Sequence, residues 1–284
     1  MKIGAHVSIS GSLDFSIDRA IEIGCDTFQI FTRNPRSWKP KKLSDEKIIK
    51  FKKKLEKANI KPIFSHIPYL VNLASPDEDK LLKSIEMMKE ELVRCEKLNI
   101  PYIVTHLGSA KKKSKKFAIE QIISSLNNIF EDYNGNSIIL LENTAGKKNK
   151  IGENIEEICH IIKQATFYEN IGLCFDTCHA FASGYDLRKV EVIDEIVSTI
   201  DDLIGIEKLL CIHCNDSVFD LGEGRDRHAH IGLGNIGEIG FENLMKNKEI
   251  RKIPFICETP VDEVRNDKEN INYLRKISKN ITKK

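Results

Sequence analysis

Residues 102–142, YIVTHLGSAKKKSKKFAIEQIISSLNNIFEDYNGNSIILLE, decide the fold. The stretch opens with a short apolar run that ends in His106 and closes with another that ends in Glu142. Between them Ile119, Ile122, Ile123, Leu126 and Ile129 recur at helical spacing and make one apolar stripe. A buried strand, a helix with one greasy face and a second buried strand read as a β-α-β unit.

The same pattern recurs on both sides. Further short apolar runs are Lys2–His6 (KIGAH), Thr27–Phe31 (TFQIF), Pro62–His66 (PIFSH), Gly172–Asp176 (GLCFD), Leu209–His213 (LLCIH) and Pro254–Glu258 (PFICE). Helical stripes lie between them: Leu81, Ile85, Met88, Leu92 and Cys95; Ile155, Ile158, Ile161 and Ile162; Ile193, Ile196, Val197 and Ile200. Ser12 is expected to cap the first helix and Gly24 to stop it. Eight strand-then-helix units predict an α/β protein, a (β/α)8 TIM barrel folded as a single domain over residues 1–284. The alternative is an open doubly wound sheet, but no G-x-G-x-x-G or G-x-x-x-x-G-K-[ST] follows the first strand.

Composition agrees with a globular enzyme-sized chain. Of 284 residues, 41% are hydrophobic and 30% charged, which excludes a disordered or fibrous polypeptide. The 44 basic and 42 acidic side chains nearly cancel, so bulk charge cannot grip nucleic acid, although a local basic face can. The opening MKIGAHVSISGSLDF carries no apolar signal core, and no run approaches the roughly 18 apolar residues of a membrane span. A cytoplasmic location with no membrane partner is expected, and there the eight cysteines are reduced thiols.

The chemistry is written at the strand ends. Six consecutive runs finish in His66, His106, Glu142, Asp176, His213 and Glu258. In a barrel all carboxyl ends open on one face, so these six converge in one mouth. Three carboxylates crowded together need cations, and neighbouring imidazoles make metal the natural answer. His179, three residues beyond Asp176, and Asp226 and His228 in D-R-H add three donors. Nine donors exceed the four of one zinc and suit two or three ions. His230 competes with His228, and spacing alone does not choose between them. His6 is expected to line the mouth without binding metal. Cys174 and Cys211 point the same way as the ligands two residues on, one layer down, and read as core; Cys211 and Cys214 face opposite sides of their strand.

Clustered metals suit phosphodiester hydrolysis, because they hold attacking and leaving oxygens in line. Lys111–Lys116 (KKKSKK) and Lys147–Lys150 (KKNK) follow His106 and Glu142 and can attract a polyanion. Phe31–Trp38 (FTRNPRSW) offers Arg33, Arg36 and the only tryptophan to nucleic acid. Tyr69 and Leu70, just beyond His66, form a wedge suited to a base step.

These residues resemble the endonuclease IV family of apurinic/apyrimidinic endonucleases. The matching segments run the length of the chain: GAHVS at 4–8, FTRNPRSW at 31–38, SHIPYLVNLAS at 65–75, THLGS at 105–109, LLENTAG at 140–146, FDTCHAFASGYD at 175–186, HCNDS at 213–217 and DRHAHIGLGNIG at 226–237. The resemblance implies a TIM barrel with three Zn2+ ions, for which Mn2+ is a substitute. His66, His106 and Glu142 would hold the first ion, and Glu142 would bridge to a second held by Asp176, His213 and Glu258. His179, Asp226 and His228 would hold the third, which selects His228 over His230. It implies a monomer that acts on double-stranded DNA with abasic sites or blocked 3′ ends. Cutting 5′ to the lesion would leave a 3′-hydroxyl and a 5′-deoxyribose phosphate. Glu142 is the expected catalytic bridge, and Arg36, Tyr69 and Leu70 match the residues the family inserts at the lesion. The family often has a lysine after N-D-S where this chain has Val218, followed by an acidic loop. A sugar isomerase on the same barrel and a non-catalytic DNA-binding barrel are the competing readings.

Overall fold

Eight strands of mostly Ile, Leu, Val and Phe alternate with amphipathic helices. In the computed structural model, which describes residues 1–39, 41–146 and 151–282, the strands are β1 (Ile3–Ala5), β2 (Phe28–Ile30), β3 (Ile63–His66), β4 (Tyr102–His106), β5 (Ile138–Glu142), β6 (Ile171–Asp176), β7 (Leu209–His213) and β8 (Phe255–Cys257). The helices are α1 (Phe15–Glu22), α2 (Asp45–Ala58), α3 (Glu78–Leu98), α4 (Lys115–Phe130), α5 (Ile155–Gln164), α6 (Thr177–Ser183), α7 (Val190–Ile204), α8 (Gly237–Lys246) and α9 (Asp267–Thr282). Every pairing in the large sheet is parallel, in the order β1-β8-β7-β6-β5-β4-β3-β2. The ring closes between β1 and β2 through the His6–Gln29 bridge, where the Val7 N–H donates to the Gln29 carbonyl at 2.8 Å. The expected barrel is therefore the observed fold. KKNK at 147–150 lies outside the described residues.

Local chemistry sets the helix ends. Ser44, Asp77, Ser114 and Asn154 accept the N–H three residues on, and Asn59 and Asn99 end α2 and α3 in the left-handed conformation. The first helix differs from expectation. It starts at Phe15 with Asp14 at the cap position, and Ser12 instead donates its hydroxyl to Asp14. Gly24 does follow the helix end, at φ 79°.

Strand alternation separates two apolar regions. One set of side chains packs outward against the helices. The other fills the barrel: Phe64, Val104, Leu140, Cys174, Cys211 and Ile256, all fully buried. Each of these precedes by two residues one of the six polar strand ends, so the same pleat that fills the barrel also aims those six at its mouth. Cys214 belongs to the outer core, opposite in facing to Cys211.

The seam between β1 and β2 leaves no space for a side chain at Gly4, where a Cβ would fall 1.6 Å from the Thr27 carbonyl oxygen. Gly4→Ala is expected to spread the seam and cost upwards of about 3 kcal/mol in urea unfolding; a near-neutral result would show that the closure does not depend on this contact.

Candidate metal centre

Glu142, at the end of β5, is enclosed and central. Its Oε2 lies 3.3 Å from His66 Nε2 and 3.5 Å from His106 Nδ1, and its Oε1 lies 3.2 Å from His213 Nδ1 and 3.3 Å from His179 Nδ1. One carboxylate thus faces four imidazoles. Glu258 Oε2 is 3.4 Å from His213 Nδ1. Asp176 uses Oδ1 to cap α6 through the His179 N–H at 2.7 Å, while its Oδ2 is 3.7 Å from His228 Nε2. Capping and site-facing are compatible because each oxygen takes one task. Asp226 bridges His179 Nε2 at 3.2 Å and His228 Nε2 at 3.5 Å.

All nine side chains named from the sequence therefore meet at one mouth. They fall into contiguous groups whose donor atoms lie within 4.8 Å of one another: His66, His106 and Glu142; Glu142, Asp176, His213 and Glu258; His179, Asp226 and His228. Two donors at zinc bond lengths on neighbouring corners of a tetrahedron are about 3.3 Å apart. The observed nitrogen–oxygen separations cluster around that value.

The far nitrogens of the imidazoles make the stronger test of fit. His66 Nδ1 meets the Ile67 carbonyl at 2.7 Å, His179 Nδ1 the Asn143 carbonyl at 2.9 Å, and His228 Nδ1 the Glu258 carbonyl at 2.9 Å. His213 Nε2 meets the Gln29 side-chain oxygen at 2.9 Å. Those oxygens only accept, so each of these nitrogens carries a proton, and the other, inward nitrogen is the one left to coordinate a cation. Metal-binding histidines are held this way. His228 Nε2 is buried with no hydrogen-bond partner, an orphan that a cation would satisfy.

Of the supporting side chains, only His6 was singled out from the sequence; Gln29, Asn143 and Asn215 were not. Gln29 donates to Glu258 Oε1 at 2.6 Å, and His6 Nδ1 lies 3.2 Å from the same oxygen. Asn143 accepts the Asp176 N–H at 2.6 Å and donates to its carbonyl at 2.9 Å. Asn215 donates to Asp176 Oδ2 at 2.7 Å and accepts the Glu258 N–H at 2.7 Å. The second strand, which ends without a donor, contributes Gln29 from its middle. A lone amide inside the apolar run TFQIF was the available signal.

The charges are interlocked. Burial pushes the Glu142 carboxyl up, but the His106 and His213 imidazoles overcome it and hold the group well below the usual range. Burial dominates at Asp176, whose carboxyl is raised. Burial lowers His106 to about 4, whereas His179 and His213, opposed by burial too, are raised by adjacent carboxylates. Two thiol-containing groups, Cys174–Cys211–His213 and Asp176–Cys178–His228, share residues with those above. Burial pushes the Cys178 thiol up to about 12, while hydrogen bonds to Cys174 and His213 hold Cys211 at about 7 against burial.

At the rim, Tyr69 is 69% exposed and rests edge-on against Phe31, with ring centres 5.4 Å apart. Leu70 is half-buried and Arg36 exposed. Arg33 is different: it is 3% exposed and bound through Nε to Glu91 at 2.9 Å, so it pins the rim loop from beneath and is not offered to nucleic acid. Trp38 packs against the core. In KKKSKK, Lys115 pairs with Glu157 at 2.7 Å and Lys116 lies 3.9 Å from Glu120, while Lys111 lines a cavity of about 400 Å³ beside His106, His179 and Asp226. His230 turns away from the mouth, with Nε2 3.0 Å from Asp262 and Nδ1 3.1 Å from Asn270. Val218 is exposed and its N–H donates to Arg227 at 3.0 Å.

Residues 17–277 match the family model described as the xylose isomerase-like TIM barrel. The chain is 46% identical over 277 residues to a protein of Methanoculleus marisnigri named probable endonuclease 4, covering 97% of this chain and 98% of that one. It superposes on the crystal structure of endonuclease IV from Thermus thermophilus with a TM-score of 0.85 and 28% identity, covering 100% of this chain and 99% of that one. A D-tagatose 3-epimerase-like protein superposes with a TM-score of 0.71 at 23% identity, over 100% of this chain and 97% of that one, and shares the fold alone.

Carboxylate-raised imidazoles hold protons that a cation must displace. Uptake of Zn2+ by the metal-free chain near neutral pH is expected to release protons, and affinity to weaken as pH falls. Calorimetric titration in buffers of different ionisation enthalpy measures this, and binding without proton release would refute it.

Proposed function

Because the chain belongs to the endonuclease IV family of xylose isomerase-like TIM barrels, we propose that it is a DNA-repair hydrolase that cuts the phosphodiester bond 5′ to an abasic site in double-stranded DNA. The products are a 3′-hydroxyl and a 5′-deoxyribose phosphate, and the same centre clears blocked 3′ ends. The observation that carries this reading is the convergence of five imidazoles and four carboxylates in contiguous groups, with four imidazoles locked from behind.

The proposed cofactor is three Zn2+ ions, with Mn2+ as a substitute. His66, His106 and Glu142 hold one; Glu142, Asp176, His213 and Glu258 a second; His179, Asp226 and His228 a third. Bound cations supply Lewis-acid stabilisation of charge developing on phosphoryl oxygens. The chain's own residues do the positioning. Glu142 divides its two oxygens between neighbouring groups and fixes their spacing. Gln29, Asn143 and Asn215 keep Glu258 and Asp176 from turning outward. Tyr69 and Leu70 enter the duplex at the lesion and Arg36 meets the backbone, so that the abasic nucleotide swings into the mouth. Lys111 adds a positive charge on the His106 side. The protein works as a monomer in the cytoplasm; among the described residues no helix is long and apolar enough to cross a membrane.

The metal-loaded chain is expected to nick a duplex containing one abasic site and to stop after chelation. Glu142→Gln keeps the shape but loses the charge, and is expected to slow nicking by about 10²–10³-fold. Failure of the loaded chain to nick, or release of an epimerised ketose from a sugar instead, overturns the reading. Tyr69→Ala is expected to raise KM for the abasic duplex severalfold while leaving hydrolysis of a small phosphodiester unchanged; equal loss on both substrates would remove Tyr69 from the DNA-contacting set.

A further inference from the structure

The run Gly232-Leu233-Gly234-Asn235-Ile236-Gly237 has the G-x-G-x-x-G spacing that elsewhere wraps an anionic ligand. Here the anion is the protein's own. Asp216 is fully buried, and its carboxylate accepts N–H bonds from Ser217 at 2.8 Å, Gly232 at 2.9 Å, Gly234 at 3.0 Å, Ile236 at 2.9 Å and Gly237 at 3.3 Å. Among the described residues Asp216 has no ion-pair partner; burial raises its carboxyl, and the backbone donors oppose that shift. The fit is tight: a Cβ at Gly234 would fall 2.5 Å from Asp216 Oδ1 and 2.4 Å from the Ser217 carbonyl oxygen.

Asp216 also pairs with Ala229, and Ser217 with His228, in a short antiparallel ladder. The Asn235 N–H closes the loop onto the Ser217 carbonyl at 2.8 Å. The backbone of one residue is thus hydrogen-bonded beside His228, while its side chain gathers the return segment 232–237. His228 stands in that ladder and Asp226 two residues before it, both just ahead of the segment the carboxylate gathers, and Asp226 is itself half exposed.

We propose that Asp216 is a positioning residue for the His179–Asp226–His228 group: its carboxylate, seated in the glycine cradle, holds the 226–237 segment so that this group keeps its cation. The proposal rests on the metal reading above. It predicts a selective defect. The His66–His106–Glu142 group and the Glu142–Asp176–His213–Glu258 group take their donors from the ends of barrel strands, outside the 226–237 segment.

The test uses Asp216→Asn and Gly234→Ala. Asn is nearly isosteric but loses charge and turns an amide N–H toward backbone donors. The alanine presses on the carboxylate from the other side, so one variant remains should the other fail to fold. Metal per chain is measured after passage through a weak chelator, alongside thermal unfolding. The expected result is an unfolding transition close to wild type with about one ion fewer per chain, and affinity for that ion about 10–100-fold weaker. A folded variant that keeps the wild-type metal content and affinity overturns the proposal. So does a variant that loses all ions together, which would make the effect a general loss of structure. A wild-type chain that takes up no metal would overturn the metal reading itself, and is seen separately because the wild type is measured first.

Discussion

Three carboxylates, Glu142, Asp176 and Glu258, are enclosed together at one end of a barrel whose interior just below is wholly apolar. Negative charge concentrated in this way is unfavourable unless something positive or hydrogen-bonding lies against every oxygen. The surroundings of the mouth follow from that requirement. Glu142 faces four imidazoles, the Asp176 carboxylate is held by Asn215 and the His179 N–H of the α6 cap, and Glu258 is held by Gln29 and His6. Four imidazoles turn an N–H outward to a carbonyl or amide oxygen, which leaves the other ring nitrogen facing inward. A site with this polarity takes cations and would repel a phosphate until cations had entered.

The barrel supplies rigidity where the charge is greatest. Six of the site residues stand one pleat above six close-packed interior side chains, so any tilt of a strand would disturb packing on both levels. The remaining donors lie beyond the strand ends, His179 in α6 and Asp226 and His228 in the 226–237 segment, and the neighbouring loops are tied down individually. Asn72 clasps Ser109 across the loops after β3 and β4, at 3.0 Å in each direction. Gly108 is required there, at φ 93°, because a Cβ would fall 2.1 Å from the Asn72 oxygen. The rim loop that presents Arg36 is anchored through the buried Arg33–Glu91 pair, with Thr32 and Ser65 donating to the other Glu91 oxygen at 2.6 and 2.7 Å. Sugar-epimerase-like proteins share the barrel at low identity.

Much of the scaffold was legible because each level of the pattern agreed with the next. YIVTH and IILLE are short, apolar and polar-ended, and the helix between them has one stripe; both strands and the helix formed where expected. Less was legible where one residue type serves two purposes. Arg33 and Arg36 sit three apart in FTRNPRSW, one buried against Glu91 and the other exposed. Lys111 and Lys115 belong to one basic run, one lining a cavity and the other paired to Glu157. Spacing cannot tell these apart, because burial depends on a partner far away in the chain.

The amino-acid sequence by itself determined the periodicity of strands and helices, hence the barrel, and through the two-residue pleat the convergence of six polar ends on one face. These are consequences of local geometry repeated along the chain. Only the tertiary structure decided which way each ring and carboxylate turned: His228 inward and His230 toward Asp262, Gln29 against Glu258, Asp216 into the glycine loop. Those choices rest on hydrogen bonds between residues from 16 to 229 positions apart. Such bonds become possible only after the ring has closed and excluded the water that would otherwise satisfy each group.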